Sequence, residues 1–218
     1  MKNYKKGFTL AEVLVTLGII GVVSAMTVPN LVRNYQNKAL VNQLHKVYTE
    51  FSQAIELYMS DQKVESMAET ELYNNNDGLK SFINNYFKVV SDCGNNYISS
   101  ASGAKCFSSD PYYAIEDDSH AVLSGNLSCA GMAFTLASGA AICAETNTNY
   151  PLYLEVDVNG AQPPNVFGRD LFIMFLNMDG EFYDHDYIQN GYKTKFTGAD
   201  AATGAFGRIM NDGWEMNY

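Results

Sequence analysis

An α+β fold is predicted for this chain by the order in which its hydrophobic periods change. The first sixty residues carry helical spacing, an apolar run followed by an amphipathic stripe. A shorter helical pattern follows near residue 80, and from about residue 130 β-rich runs alternate with turn residues. Helices first and strands afterwards predict a long N-terminal helix packed on a C-terminal antiparallel sheet.

In chain order, Phe8 to Val28 is a predominantly apolar run whose one charge is Glu12, and as a helix it spans about 30 Å, the thickness of a hydrocarbon core. Pro29 closes the run, but helical spacing resumes beyond it, so a kink rather than an end is expected there. Leu40, Leu44, Val47, Phe51, Ala54 and Tyr58 then form one apolar stripe, with Asn42, Gln43, Lys46, Glu50 and Gln53 between them. The two patterns together predict one helix from Phe8 to about Met59. Ser60 to Gly78 reads as a polar loop. Leu79, Phe82, Ile83, Tyr86, Phe87 and Val90 predict a second helix, with Asp77 or Asn76 as its cap. Cys93 to Asp118 is rich in Ser, Gly and Asn and shows no period. Met132–Leu136 and Ala140–Ala144 flank a Ser138-Gly139 turn; Tyr153–Val158, Leu171–Leu176 and Glu181–Tyr183 follow, for a sheet of four or five strands. This gives three regions: residues 1–7, a basic leader; 8–29, an apolar helix; and 30–218, one globular domain.

The 218 residues carry a net charge of −10, which argues against a nucleic-acid partner, since that surface needs a basic patch. Lys2, Lys5 and Lys6 precede the apolar run while the remainder is acidic, an asymmetry that places the lysines on the cytoplasmic side of a membrane. Three readings of the N-terminus compete. A cleaved signal peptide accounts for the basic and apolar regions and offers Val23-Ser24-Ala25 as a cleavage site, but its apolar region rarely carries a carboxylate such as Glu12. A plain signal anchor explains neither Gly7 nor Glu12.

The third reading accounts for both. Lys5-Lys6-Gly7-Phe8-Thr9-Leu10-Ala11-Glu12 resembles the processing motif of type IV pilin-like proteins, which include the type II secretion pseudopilins. The resemblance implies cleavage between Gly7 and Phe8 by a prepilin peptidase, N-methylation of Phe8, and retention of the apolar helix as anchor and assembly element. It implies that Glu12 pairs with the N-terminal amine of a neighbouring subunit. A carboxylate inside a membrane helix otherwise costs about 2.5–3.5 kcal/mol, unless it snorkels to the interface. The implied location is the inner membrane, single-pass, N-terminus cytoplasmic, with the domain outside the cytoplasm. The implied partners are other pilin or pseudopilin subunits, the peptidase, an inner-membrane assembly platform and lipid. A membrane-anchored binding protein that never polymerises is the alternative. No enzymatic constellation is legible. Val156-Asp157-Val158-Asn159-Gly160, Pro164-Asn165, Gly168, Asp170 and Phe172 also look like a stretch of pseudopilin-like proteins, as does the ending Asn211 to Tyr218.

Cys93, Cys106, Cys129 and Cys143 lack CxxC spacing, and in an exported chain an even number suggests disulfides, with four buried thiols as the alternative. Three pairings exist. Cys93–Cys106 with Cys129–Cys143 closes the two short loops, each worth about 3 kcal/mol in the chain-entropy model. Asp157-Val158-Asn159-Gly160 resembles the start of a calcium loop but departs from the EF-hand, with Gln162 at the sixth position and Gly168 at the twelfth. Some major pseudopilins hold calcium in this half of the chain. The oxygen donors would be Asp157, Asn159, Asn165 and Asp170; no cofactor is otherwise required. The alternative is an Asx turn. Of the histidines, His45 is expected to face solvent. His120 is the second, and His185 stands in Asp184-His185-Asp186, which could ligate a metal but reads first as a polar loop.

Overall fold

A computed structural model describes residues 7–95, 105–113, 129–184 and 204–218. His120, His185, Asp186 and most of the Ser/Gly/Asn-rich segment lie outside the described residues. Contacts divide the chain into two compact units, Met1–Ala39 and Leu40–Tyr218.

Helix α1 runs from Leu10 to Gln62 and passes through Pro29 without ending. In the first unit its large side chains are uncovered: Leu10 is 78% exposed and Leu31 70%. Thr16 donates its hydroxyl to the carbonyl of Glu12 and Thr27 to that of Val23, so both hydroxyls are satisfied within the helix.

In the second unit the stripe Leu40, Leu44, Val47, Phe51, Ala54 and Tyr58 is buried. A 3-10 turn at Met67–Glu69 follows, and then α2 at Asn76–Tyr86, whose cap is Asn75, accepting from the N–H groups of Asp77 and Gly78. A Cβ at Gly78 would lie 1.9 Å from the Glu71 carbonyl oxygen, so this first turn tolerates only glycine.

The sheet has six antiparallel strands in sequence order: β1 Val89–Gly94, β2 Met132–Leu136, β3 Ala141–Glu145, β4 Leu152–Asp157, β5 Leu171–Leu176 and β6 Phe182–Tyr183. The additional strand is β1, part of which the helical pattern had claimed. Phe87 is already extended (φ −125°, ψ 148°), and the β-branched pair Val89-Val90 favours a strand over a further helical turn.

Both faces of the sheet are buried, which is why β5 reads as an unbroken apolar run. One face carries Phe134, Ile142, Leu154, Phe172 and Met174 against Phe51, Ile55 and Phe82 of the helices. The other carries Ala133, Ala141, Cys143, Leu171, Ile173 and Phe175 against Cys106, Phe107, Tyr112 and Phe167. The C-terminus adds α3 at Ala205–Asn211, which the sequence reading missed. Buried Asp184 accepts from the N–H groups of Gly204 and Gly207 at its start. Trp214 then lays its ring 4.0 Å from that of His45, which is exposed as expected but not bare, and 5.2 Å from that of Tyr48.

Candidate functional site

Two sites emerge from the residues singled out above: the start of α1 and the loop between β4 and β5.

At the start of α1, Thr9 and Glu12 cap the helix reciprocally. The Thr9 N–H donates to the Glu12 carboxylate at 2.7 Å, its hydroxyl donates to the same oxygen at 2.8 Å, and the Glu12 N–H donates to the Thr9 hydroxyl at 3.2 Å. This is a capping box, Thr-x-x-Glu, and it was legible in the sequence though not used there. The carboxylate is thereby held at the positive end of the helix dipole, next to Phe8, the residue that cleavage after Gly7 would turn into a terminal amine. Phe8 itself is exposed, and a Cβ at Gly7 would meet nothing within 4 Å. Packing among the described residues makes no demand for glycine at position 7.

The β4–β5 loop gathers Asp157, Asn159, Asn165 and Asp170. Asp157 and Asp170 are fully buried and Asn165 is 3% exposed. Asp157 accepts from the Tyr112 hydroxyl at 2.5 Å and from the Asn159 N–H at 3.2 Å. Asp170 accepts from the N–H groups of Asn165 at 2.8 Å and Val166 at 2.6 Å. The amide nitrogen of Asn159 donates to the Pro163 carbonyl and that of Asn165 to the Ser108 hydroxyl, which leaves both amide oxygens buried with no hydrogen-bond partner. Buried acceptors without a donor are costly. Burial pushes the Asp157 carboxyl up to about 8, and the neighbouring Asp170 charge adds to this, against the opposing hydrogen bond from Tyr112. Asp170 is likewise raised, chiefly by burial. Two buried carboxylates, both accepting from donors of the chain, thus lie at this loop with two amide oxygens that lack a hydrogen-bond partner among the described residues. The main-chain entry is tight: Gly160 sits at φ +66°, and a Cβ there would lie 2.7 Å from the Gly139 carbonyl oxygen.

Cysteines form bridges Cys93–Cys106 and Cys129–Cys143, with Cα–Cα distances of 6.4 and 5.7 Å. All four lie in the second core. Cys129, Cys143 and Glu145 cluster closely enough to suggest metal ligation, but sulfurs joined in a disulfide are not thiolate ligands.

Residues 2–28 match the family model described as the prokaryotic N-terminal methylation motif. No curated protein and no solved structure matches the chain. The match takes in Gly7, Phe8 and Glu12 and stops just before Pro29. Outside that span the layout, a long N-terminal helix followed by an antiparallel sheet, agrees with it. The methylation motif at the N-terminus and the α+β layout behind it both fit a type IV pilin-like protein.

Proposed function

We propose that this protein is a structural subunit, pilin or pseudopilin, of a type IV pilus or type II secretion pseudopilus. It is cleaved after Gly7, methylated on Phe8, and assembled through α1 with its own kind. Before assembly it sits in the inner membrane as a single span, with its domain outside the cytoplasm. The observation that carries this reading is the methylation-motif match over a helix whose apolar side chains stand exposed among the described residues. A membrane accepts such a helix, and so does a bundle of identical helices. Within that bundle, Glu12 answers the amine of a neighbouring Phe8, because an unpaired carboxylate there is costly. Two disulfides in the domain agree with an oxidising compartment. Intact-mass and N-terminal analysis of the membrane-extracted protein tests the processing step. A methylated Phe8 start is expected, with Lys2, Lys5 and Lys6 gone and the net charge changed from −10 to −13. A start at Met26 would establish the signal-peptidase reading instead.

The β4–β5 loop is proposed as a calcium seat on Asp157, Asn159, Asn165 and Asp170, where the ion neutralises two buried carboxylates and gives the orphaned amide oxygens a partner. Calcium is expected to raise the melting temperature of the full chain in detergent relative to chelator. Asp157→Ala should remove that increment. An equal melting temperature with and without calcium returns the loop to a plain Asx turn.

A further inference from the structure

Segment Lys105–Tyr113 belongs to no helix or named strand, yet it is fastened to the β4–β5 loop by four hydrogen bonds. The Tyr113 N–H donates to the Asn165 carbonyl and the Phe167 N–H to the Tyr113 carbonyl, both at 2.9 Å. The Tyr112 hydroxyl donates to Asp157 at 2.5 Å, and the Asn165 amide donates to the Ser108 hydroxyl at 3.0 Å. Ser108 and Tyr112 are themselves buried, and the Ser108 N–H donates to the Tyr112 hydroxyl at 3.3 Å, so the two act as one unit. The Ser108 contact fixes which way the Asn165 amide points, and with it the buried oxygen that lacks a donor. One covalent bond ties this segment to the sheet: Cys106, two residues before Ser108, is bridged to Cys93 on β1.

We propose that Lys105–Tyr113 is the positioning wall of the calcium seat and that oxidation of Cys93 and Cys106 completes the seat. The proposal rests on the calcium reading of the loop. In the oxidation, two thiols become one disulfide and release two protons and two electrons. An external disulfide accepts the electrons by thiol–disulfide exchange and leaves as two thiols. Ser108 and Tyr112 are not ligands. They set the orientation of Asn165 and Asp157, as outer partners of metal ligands do. The order of events is export, oxidation, then ion binding, so that a reduced subunit would be a poor calcium binder even where calcium is plentiful.

The experiment is a calcium titration of the full processed chain in detergent, by calorimetry, at a temperature where circular dichroism shows every variant folded. Cys93→Ser with Cys106→Ser is expected to raise Kd about 10- to 100-fold, the range for lost outer-shell partners, and Ser108→Ala is expected to weaken binding while the bridges stay intact. Cys129→Ser with Cys143→Ser, which opens the other bridge of the same core, should leave Kd unchanged. Wild-type affinity in the Cys93/Cys106 variant, or an equal loss on opening either bridge, overturns the positioning role while leaving the calcium seat in place. Absence of calcium binding by the wild type is a different result and overturns both.

Discussion

Residues 10–35 and residues 40–58 lie on one continuous helix and obey opposite rules. In the first stretch large apolar side chains stand exposed around the helix, Leu10, Leu14, Ile19, Val23 and Leu31 among them. In the second the apolar residues, Leu57 apart, lie on one side that is buried, with Phe51 against Phe87 at 4.3 Å and Tyr58 against Phe82 at 5.1 Å. A helix that is apolar all round is written for surroundings outside its own fold, and one with a stripe is written for its own core. The same chemistry therefore has different consequences at the two ends. A change in the first stretch should alter processing and assembly without unfolding the domain, and a change in the second should do the reverse.

The largest effect expected is on processing. Gly7→Trp should leave unprocessed precursor in the membrane, visible on immunoblot as a larger species, with the domain folded normally. A Cβ at Gly7 meets nothing within 4 Å among the described residues, so a processing defect would place the requirement in the peptidase. Normal processing would remove Gly7 from the site. Next comes Glu12→Leu, which should leave insertion and cleavage intact but cut the yield of sheared filament or secretion. Undiminished filaments would mean that the carboxylate serves only the capping box with Thr9.

On the other side of the comparison, Phe51→Ala should destabilise the domain by about 3–5 kcal/mol, read from denaturant unfolding, because it opens a cavity between Phe87 and Phe182. Val22→Ala, on the exposed stretch, should change that stability hardly at all. Equal losses would collapse the distinction between the two stretches. The smallest expected effect is one of pH. The Asp157 carboxyl stands at about 8 in the folded chain against 3.8 as its ordinary value. A raised acid binds its proton more tightly when folded, so its contribution to stability is complete below about pH 4. It falls away as pH rises toward 8. Calcium-free protein should thus melt at progressively lower temperature across that window, and calcium should flatten the decline. A melting temperature that rises over the same window without calcium would show that Asp157 is not a raised acid.

Much of this was legible in the residues, for stated reasons. Helical spacing located α1, and all six residues of its stripe are buried, joined there by Val41 and Ile55. Alternation and turn residues placed β2 to β6 to within a residue or two. Strand β1 was not legible, because Val90 extends a helical spacing that began at Leu79, and only the pairing of Val89 with Leu136 decides for a strand. Helix α3 was missed for a similar reason: seven residues are too few to show a period, and its start depends on Asp184, twenty residues earlier.

By itself the sequence determined the apolar N-terminal helix, the motif around Gly7 and Glu12, and the α+β order of elements. These depend on spacing along a few neighbouring residues, and local spacing is written in the chain. Only the tertiary structure decided that Tyr112 meets Asp157 across 45 positions and Ser108 meets Asn165 across 57, and which cysteines join. Such contacts depend on which strands pair and which face of the sheet is covered. That is settled by burying the most apolar surface at once rather than by any local pattern.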